Sequence, residues 1–335
     1  MKVLFGHSLP FSLAHGGMQT LIESVMRELA DLGVEVEPSK WWDPQQGGDV
    51  IHFFQRPDPG VARYFRQAGY RVVMTEIIDT FASMPRSRLT AHRAAAGVLQ
   101  HAVSSLRDTR ALYQTSDAVV YLNRHEMETA ILAFGLPPDK AHVIPLGLEP
   151  DAMADLARPC APDDHLVSLG TICARKNSVF LAQAARAAGV PVLFVGKPIS
   201  ERDPYYEAFL ALVDGRSVRF AGYVAEAEKR QLLRSARGFV LLSSGESGCI
   251  AVHEAAAAGL PLLLPDRRWA TRGYPPSERI VFTRMREGEL AKHLANLHAR
   301  GQRADTPTFP VRDWREVAGQ YRDLYHQVLA SDPAR

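Results

Sequence analysis

From His165 to Asp266 the sequence repeats one pattern. Five short apolar runs, "HLVSLG", "VPVLFVG", "VRFAGYV", "GFVLLSS" and "LPLLLPD", are separated by stretches of helical spacing. Apolar runs of that length bounded by turns read as buried strands. Strands alternating with amphipathic helices build a parallel sheet covered on both faces. Four of the strand-to-helix turns carry Gly or Ser. The first half follows the same rule, with "KVLFG", "DVIHFF", "YRVVMT", "DAVVYL" and "AHVIPLG" as strands. Residues 60–68, 87–114 and 124–134 are helical, as is a first helix in which Met18, Leu21, Ile22, Val25, Leu29 and Leu32 recur before Gly33. The expectation is two doubly wound, Rossmann-like α/β domains, which a length of 335 residues also favours.

The segment "EPDAMADLARPCAPDDH" interrupts the pattern and reads as a linker. Expected domains are therefore 1–155 and 156–309, with 310–335 a terminal helix crossing back to the first domain. Its apolar stripe is Trp314, Val317, Tyr321, Leu324, Tyr325 and Val328. A formal charge of +2 predicts no nucleic-acid partner. Cys160, Cys173 and Cys249 are scattered, which suits a reducing, cytoplasmic compartment and no disulfide or structural zinc. The start "MKVLFGHSLPF" reads as a strand rather than a signal peptide.

In such sheets ligands bind where strands end and helices begin, and with two domains the cleft between them is the natural site. "SSGESGCIAVHEAAAAGLPLLL" places Glu246 in a strand-to-helix loop and Glu254 about one turn into the next helix. The amides of Ser247, Gly248, Cys249 and Ile250 then form an anion site at a helix N-terminus. Glu254 can accept from two vicinal hydroxyls, as a ribose presents them. The plain alternative is an acidic residue favoured near a helix start together with a solvated helical glutamate. In "SLGTICARKNSVF", Arg175 and Lys176 follow a strand end and can neutralise a diphosphate, or form a solvated basic turn. Gly16 and Gly17 allow close backbone approach to a phosphate, or a plain turn. There is no GxGxxG, Walker or GxSxG motif. His7, His15 and His52 fit no metal spacing; His52 lines the cleft or belongs to the core. Residues 86–110, with Arg86, Arg88, Arg93, Arg107 and Arg110, form either a basic amphipathic helix for an anionic membrane face or a solvated helix packed on the sheet.

Taken together, the loops resemble the retaining nucleotide-sugar glycosyltransferases of the GT-B fold, family four. The likeness rests on the Glu-seven residues-Glu spacing before "AAAAGLPLLL", and on "GGMQTLIESVMRELADLGVEVE", "DAVVYLN", "HVIPLGLE", "LGTICARKN", "VRFAGYV" and "DWREVAGQYRDLY". The resemblance implies sugar transfer from a nucleotide diphosphate-sugar to a hydroxyl acceptor with retention of configuration. It implies no cofactor and no divalent metal. Glu246 would face the donor sugar, with Lys176 and Arg175 as catalytic cations. Glu254 would hold the ribose, the amides from Ser247 to Ile250 the sugar and phosphate, and Tyr223 would border the base. Gly16 and Gly17 would approach from the first domain. The acceptor side would include His15, His52, Glu76 and Asp79, the last two standing where the family often has a His. Thr171 stands where the family usually has an Arg. That departure and the missing His keep open a GT-B partner subunit that binds without turnover; a sugar-nucleotide epimerase of related fold is the other alternative. Expected location is cytoplasmic, with peripheral contact at the inner membrane face as the alternative attached to 86–110.

Overall fold

The computed structural model describes residues 1–8, 11, 16–78, 84–99 and 103–331. The chain forms two compact units, Met1–Gly147 with Arg312–Arg335, and Leu148–Val311. Both are built as the alternating pattern requires, and the fold is α/β with two parallel, Rossmann-like sheets.

In the first unit the strands are β1 (Lys2–His7), β2 (Glu35–Pro38), β3 (Val50–Phe54), β4 (Arg71–Thr75), β5 (Ala118–Tyr121) and β6 (Ala141–Val143). Every pairing is parallel and the order is β2-β1-β3-β4-β5-β6. Between them run α1 (Gly17–Asp31), α2 (Pro59–Gln67), α3 (Arg86–Leu99), α4 (Ser104–Thr115) and α5 (Arg124–Thr129), the last continued by a π turn over Ala130–Phe134. The expected helix over 87–114 is thus two helices. The five residues of β3 are all buried, as a strand covered on both faces must be. In α1 the expected stripe supplies the buried Leu21, Ile22, Val25 and Leu29. Burying each such side chain contributes roughly 1.5–3 kcal/mol.

In the second unit the strands are β8 (Leu166–Leu169), β9 (Val192–Val195), β10 (Val218–Gly222), β11 (Gly238–Val240), β12 (Leu262–Pro265) and β13 (Ile280–Thr283), ordered β10-β9-β8-β11-β12-β13. The short strands β7 (Gly147–Leu148) and β14 (Arg312–Asp313) lie where the chain passes between units. The helices are α6 (Pro150–Ala157), α7 (Ser178–Ala188), α8 (Pro204–Leu210), α9 (Glu226–Ser235), α10 (Ile250–Ala257), α11 (Arg268–Gly273) and α12 (Glu287–Arg300). The segment read as a linker therefore contains α6, which packs on α9 and α10. The units divide at Gly147/Leu148 and Val311/Arg312 rather than at 155/156 and 309/310. Pro150 at the first helical position and Asp151 in the first turn favour a helix there.

The terminal helix α13 (Trp314–Ala330) belongs to the first unit, where it packs on α1. All six residues of its expected stripe are buried. The Asp313 side chain caps it by accepting the Glu316 N–H at 2.8 Å.

Candidate functional site

The second sheet reverses direction between β8 and β11: the chain builds β9 and β10 on one side of β8, then returns to place β11 on the other. The loops leaving these two strands diverge there, and that opening is where sheets of this kind take ligands. Both sequence motifs fall on these loops.

The loop after β8 ends in a 3-10 turn, Ala174–Lys176, followed by Asn177 in the left-handed region at φ 54°. Asn tolerates that conformation better than most side chains. Its amide donates to the Leu242 carbonyl at 2.7 Å and to Ser244 Oγ at 3.1 Å. The Ser244 N–H donates to the Arg175 carbonyl at 2.8 Å, so the two loops are stitched together. Gly196 fixes the neighbouring strand end: at φ 146°, a Cβ there would lie 2.1 Å from the Gly170 carbonyl oxygen. The close approach lets the Ile172 N–H donate to the Lys197 carbonyl at 3.1 Å.

This framework brings Arg175, Lys176 and Glu246 to one point. Lys176 Nζ lies 2.6 Å and an Arg175 guanidinium nitrogen 3.0 Å from the same oxygen, Oε1 of Glu246. Arg175 also donates to the Gly245 carbonyl at 2.8 Å. The Glu246 and Lys176 side chains are 8% and 12% exposed, whereas Arg175 is 46% exposed. Burial works against the Lys176 ammonium. The Cys249 sulfur, in the alkaline range where it ionises, and the Glu246 carboxylate outweigh it, so its pKa stands above the usual lysine value. Burial pushes the Cys249 thiol up to about 11, so it is neutral at physiological pH. The three charged groups leave a local excess of one positive charge.

Cys249 occupies the N-cap of α10 with no side-chain cap bond, so the helix begins where the sequence places it. β11 itself ends at Val240, and residues 241–249 form the loop. Glu254, buried one turn into α10, pairs with Lys229 of α9 at 2.7 Å. Lys229 also holds the exposed Glu226 at 2.8 Å. Burial raises the Glu254 pKa, while the Lys229 charge pulls it down. The sequence gives no signal for Lys229 as a partner of Glu254. Its i, i+3 spacing from Glu226 is legible, but the contact with Glu254 is tertiary. Tyr223, after β10, is 74% exposed, and Lys197 Nζ sits 5.4 Å from its ring centroid. Lys197 too gave no sequence signal.

The first-unit candidates fare differently. Gly16, at φ 150°, precedes α1 and Gly17 begins it, so this glycine pair opens the first helix as expected. His15 and Asp79 lie outside the described residues. His52 is fully buried: its ring nitrogens lie 2.6 Å from Tyr325 Oη and 2.8 Å from Thr75 Oγ1, and it stacks on Phe54. Burial drives its pKa down to about 3, so it is a neutral core residue that ties α13 to the sheet, not an acceptor ligand. Glu76, 1% exposed, is likewise not open to an acceptor. It is held by Arg56, by Tyr121 and, at 2.7 Å, by Tyr113 Oη. Burial raises the pKa of both tyrosines, reinforced by the Glu76 charge. The basic stretch 86–110 falls on α3 and α4, with residues 100–102 outside the description; its five arginines are exposed. Among the described residues, no helix is long and apolar enough to cross a membrane.

Residues 163–299 match the model of the family described as glycosyl transferases group 1. No curated protein matches the chain. Among solved structures, the sucrose-phosphate synthase of Thermosynechococcus elongatus is similar with a TM-score of 0.71 and 18% identity, over 99% of this chain and 100% of that one. HepE of Anabaena, solved with UDP-glucose, gives 0.62 and 14%, over 98% and 100%. AviGT4, a glycosyltransferase of avilamycin A biosynthesis, gives 0.64 and 17%, over 99% and 98%. What these structures share with the chain is the fold, two parallel-sheet, Rossmann-like domains; the match to glycosyl transferases group 1 falls within the second unit.

Proposed function

We propose that the chain is a retaining glycosyltransferase that moves a sugar from a nucleotide diphosphate-sugar to a hydroxyl acceptor. The observation that carries this reading is the convergence of Arg175, Lys176 and Glu246 on the ligand-binding edge of the second sheet, beside the N-terminus of α10. A departing diphosphate needs positive charge at the bond that breaks. Two cations and a helix N-terminus supply it without a divalent metal. Lys176 moves from Glu246 onto the diphosphate, and Arg175 supplies the charge that Thr171 lacks. Glu246 then faces the donor sugar, and Glu254 accepts from the ribose hydroxyls. The amides from Ser247 to Ile250 hold sugar hydroxyls and phosphate, Tyr223 borders the base, and Gly16 and Gly17 approach the donor. The acceptor oxygen attacks the anomeric carbon on the face the diphosphate leaves; the acceptor proton passes to the departing phosphate oxygen. No carboxylate acts as a covalent nucleophile. Nucleotide-sugar complexes of similar folds, such as HepE with UDP-glucose, support the choice of donor class.

The test is transfer from a panel of nucleotide sugars in the presence of a chelator, with the product anomer read by NMR. Retention of configuration is expected. Inversion, or strict dependence on added metal, contradicts the mechanism. Donor binding with no transfer to any acceptor would favour the partner-subunit alternative, and acceptor-free epimerisation the epimerase. The exposed arginines of α3 and α4 form the proposed peripheral contact with an anionic, inner-face membrane in a cytoplasmic protein. Equal sedimentation with neutral and anionic liposomes would refute that contact.

A further inference from the structure

We propose that the first unit carries a saccharide-binding pocket at its own switch point, with the Trp41 indole as the stacking surface and Gln55, Arg56 and Asp58 as the hydrogen-bonding wall. That the bound sugar belongs to the acceptor rests on the transferase reading; the pocket itself does not.

The first sheet changes direction between β1 and β3, so a crevice opens at the carboxyl ends of those strands. A cavity of about 420 Å³ lies there, lined by His7 from the end of β1, Trp41 from the loop after β2, and Gln55, Arg56 and Asp58 after β3. That volume is in the range that holds small ligands. Its rim is unusual. Trp41 is 90% and Trp42 67% exposed, the two rings meeting edge to face with centroids 5.6 Å apart. Folded chains bury most of the area of such side chains, as this one does with Trp269 and Trp314. An indole left in water beside a cavity presents a flat, apolar, electron-rich face, complementary to the C–H face of a pyranose ring.

The wall supplies the polar half of the match. Gln55 is held at φ 79°, rare for a side chain of its kind, by its N–H donating to the Thr75 carbonyl at 2.8 Å. Such strain persists where surrounding contacts over-determine it, and it gathers at ligand sites. The Gln55 amide group has no side-chain partner among the described residues. Arg56 is fixed by Glu76, by Thr109 Oγ1 at 2.8 Å and over the Phe134 ring at 5.2 Å. Glu76, misplaced by sequence reasoning as an acceptor ligand, is thus a positioning residue for this wall. Asp58 accepts the Gly60 and Val61 N–H groups through Oδ1 alone, leaving Oδ2 for a ligand. Arg56 is paired with Glu76 and Lys40 with Glu37 at 3.3 Å, so neither cation offsets Asp43 and Asp58 around the cavity. A wall without surplus positive charge suits a neutral polyol better than a phosphate or an anionic lipid surface.

The test is saturation-transfer NMR on the full chain with methyl pyranosides of glucose, galactose, mannose, rhamnose and N-acetylglucosamine. Wild type, Trp41→Ala and Gln55→Gly are compared, each checked by thermal melt. At least one glycoside should bind wild type, about tenfold more weakly to Trp41→Ala. Gln55→Gly, which relieves the strained φ, should weaken binding while melting no lower than wild type. Silence across the panel, or equal binding by Trp41→Ala, overturns the proposal. So does a tryptophan emission shift with phosphatidylglycerol vesicles that Trp41→Ala abolishes, because it would assign the indoles to a lipid surface. Nucleotide binding on the same samples separates the two failures. Nucleotide without glycoside overturns the pocket alone; glycoside without nucleotide overturns the transferase reading.

Discussion

Replacing Glu246 by glutamine should tighten the binding of a nucleoside diphosphate while reducing sugar transfer. In the unliganded chain the Lys176 ammonium is committed to Glu246 Oε1 at 2.6 Å, in a pair that is nearly buried on both sides. A diphosphate must draw that ammonium away. A hydrogen bond between charged groups contributes roughly 1.5–3 kcal/mol, and glutamine retains a neutral one of about 1 kcal/mol. The competition relieved is therefore about 0.5–2 kcal/mol, or roughly two- to thirtyfold in Kd. The exposed Arg175 adds little, because solvent screens it. Isothermal titration with the diphosphate that binds wild type, and with the matching nucleoside, reads this directly. The diphosphate should tighten and the nucleoside should not change. Transfer should fall by about a hundredfold, since a group beside the developing charge is lost. A folded variant with unchanged or weaker diphosphate affinity refutes the reasoning, because Lys176 would then not be the group that changes partner.

Three further outcomes follow from the geometry. Gly196→Ala should cost about 3 kcal/mol or more in denaturant unfolding, from the 2.1 Å approach to Gly170 and the strained φ; a cost under about 1 kcal/mol would contradict the packing described. His52 takes up a proton in the unfolded chain below its ordinary value of 6.5 but in the folded chain only below about 3. Stability therefore falls as pH drops through that window, by about 2 kcal/mol at about pH 5, and is unaffected above it. His52→Gln should be less stable at neutral pH yet lose less on acidification, which urea titrations at the two pH values would show; parallel losses would contradict it. Lys229→Met removes the charge that opposes burial of Glu254, so Glu254 should hold its proton further up the pH scale. Nucleotide stabilisation should then be weaker than in wild type at the lower end of the pH range and recover as pH rises; equal profiles would remove Lys229 from the site.

The alternation of strands and helices was legible in the sequence because fully buried parallel strands leave short, continuous apolar runs. The stripes of α1 and α13 were legible because each is buried on one face. The Arg175, Lys176 and Glu246 cluster could be anticipated because each falls in a loop after a strand, and parallel strands deliver such loops to one edge. What escaped is tertiary. Nothing local in "EAEKRQLL" says that Lys229 reaches Glu254, and nothing in "DVIHFF" says that His52 meets Tyr325 from the far end of the chain. Glu76 looked available because its partners Arg56, Tyr113 and Tyr121 are distant in sequence. The helix over 87–114 divided because amphipathic spacing continues across a break between two helices. The linker reading failed at α6 because Pro and Asp, which mark turns, also favour a helix N-terminus.

On the proposed function, the second unit holds a nucleotide diphosphate through Glu254 and the cations of the β8 loop. The direct measurement is a thermal shift with UDP, GDP, ADP and dTDP, without added metal, on wild type and Glu254→Ala. Stabilisation of wild type by one of these nucleotides, lost in the variant, is the predicted result. No shift with any of the four, or an equal shift in the variant, would contradict it.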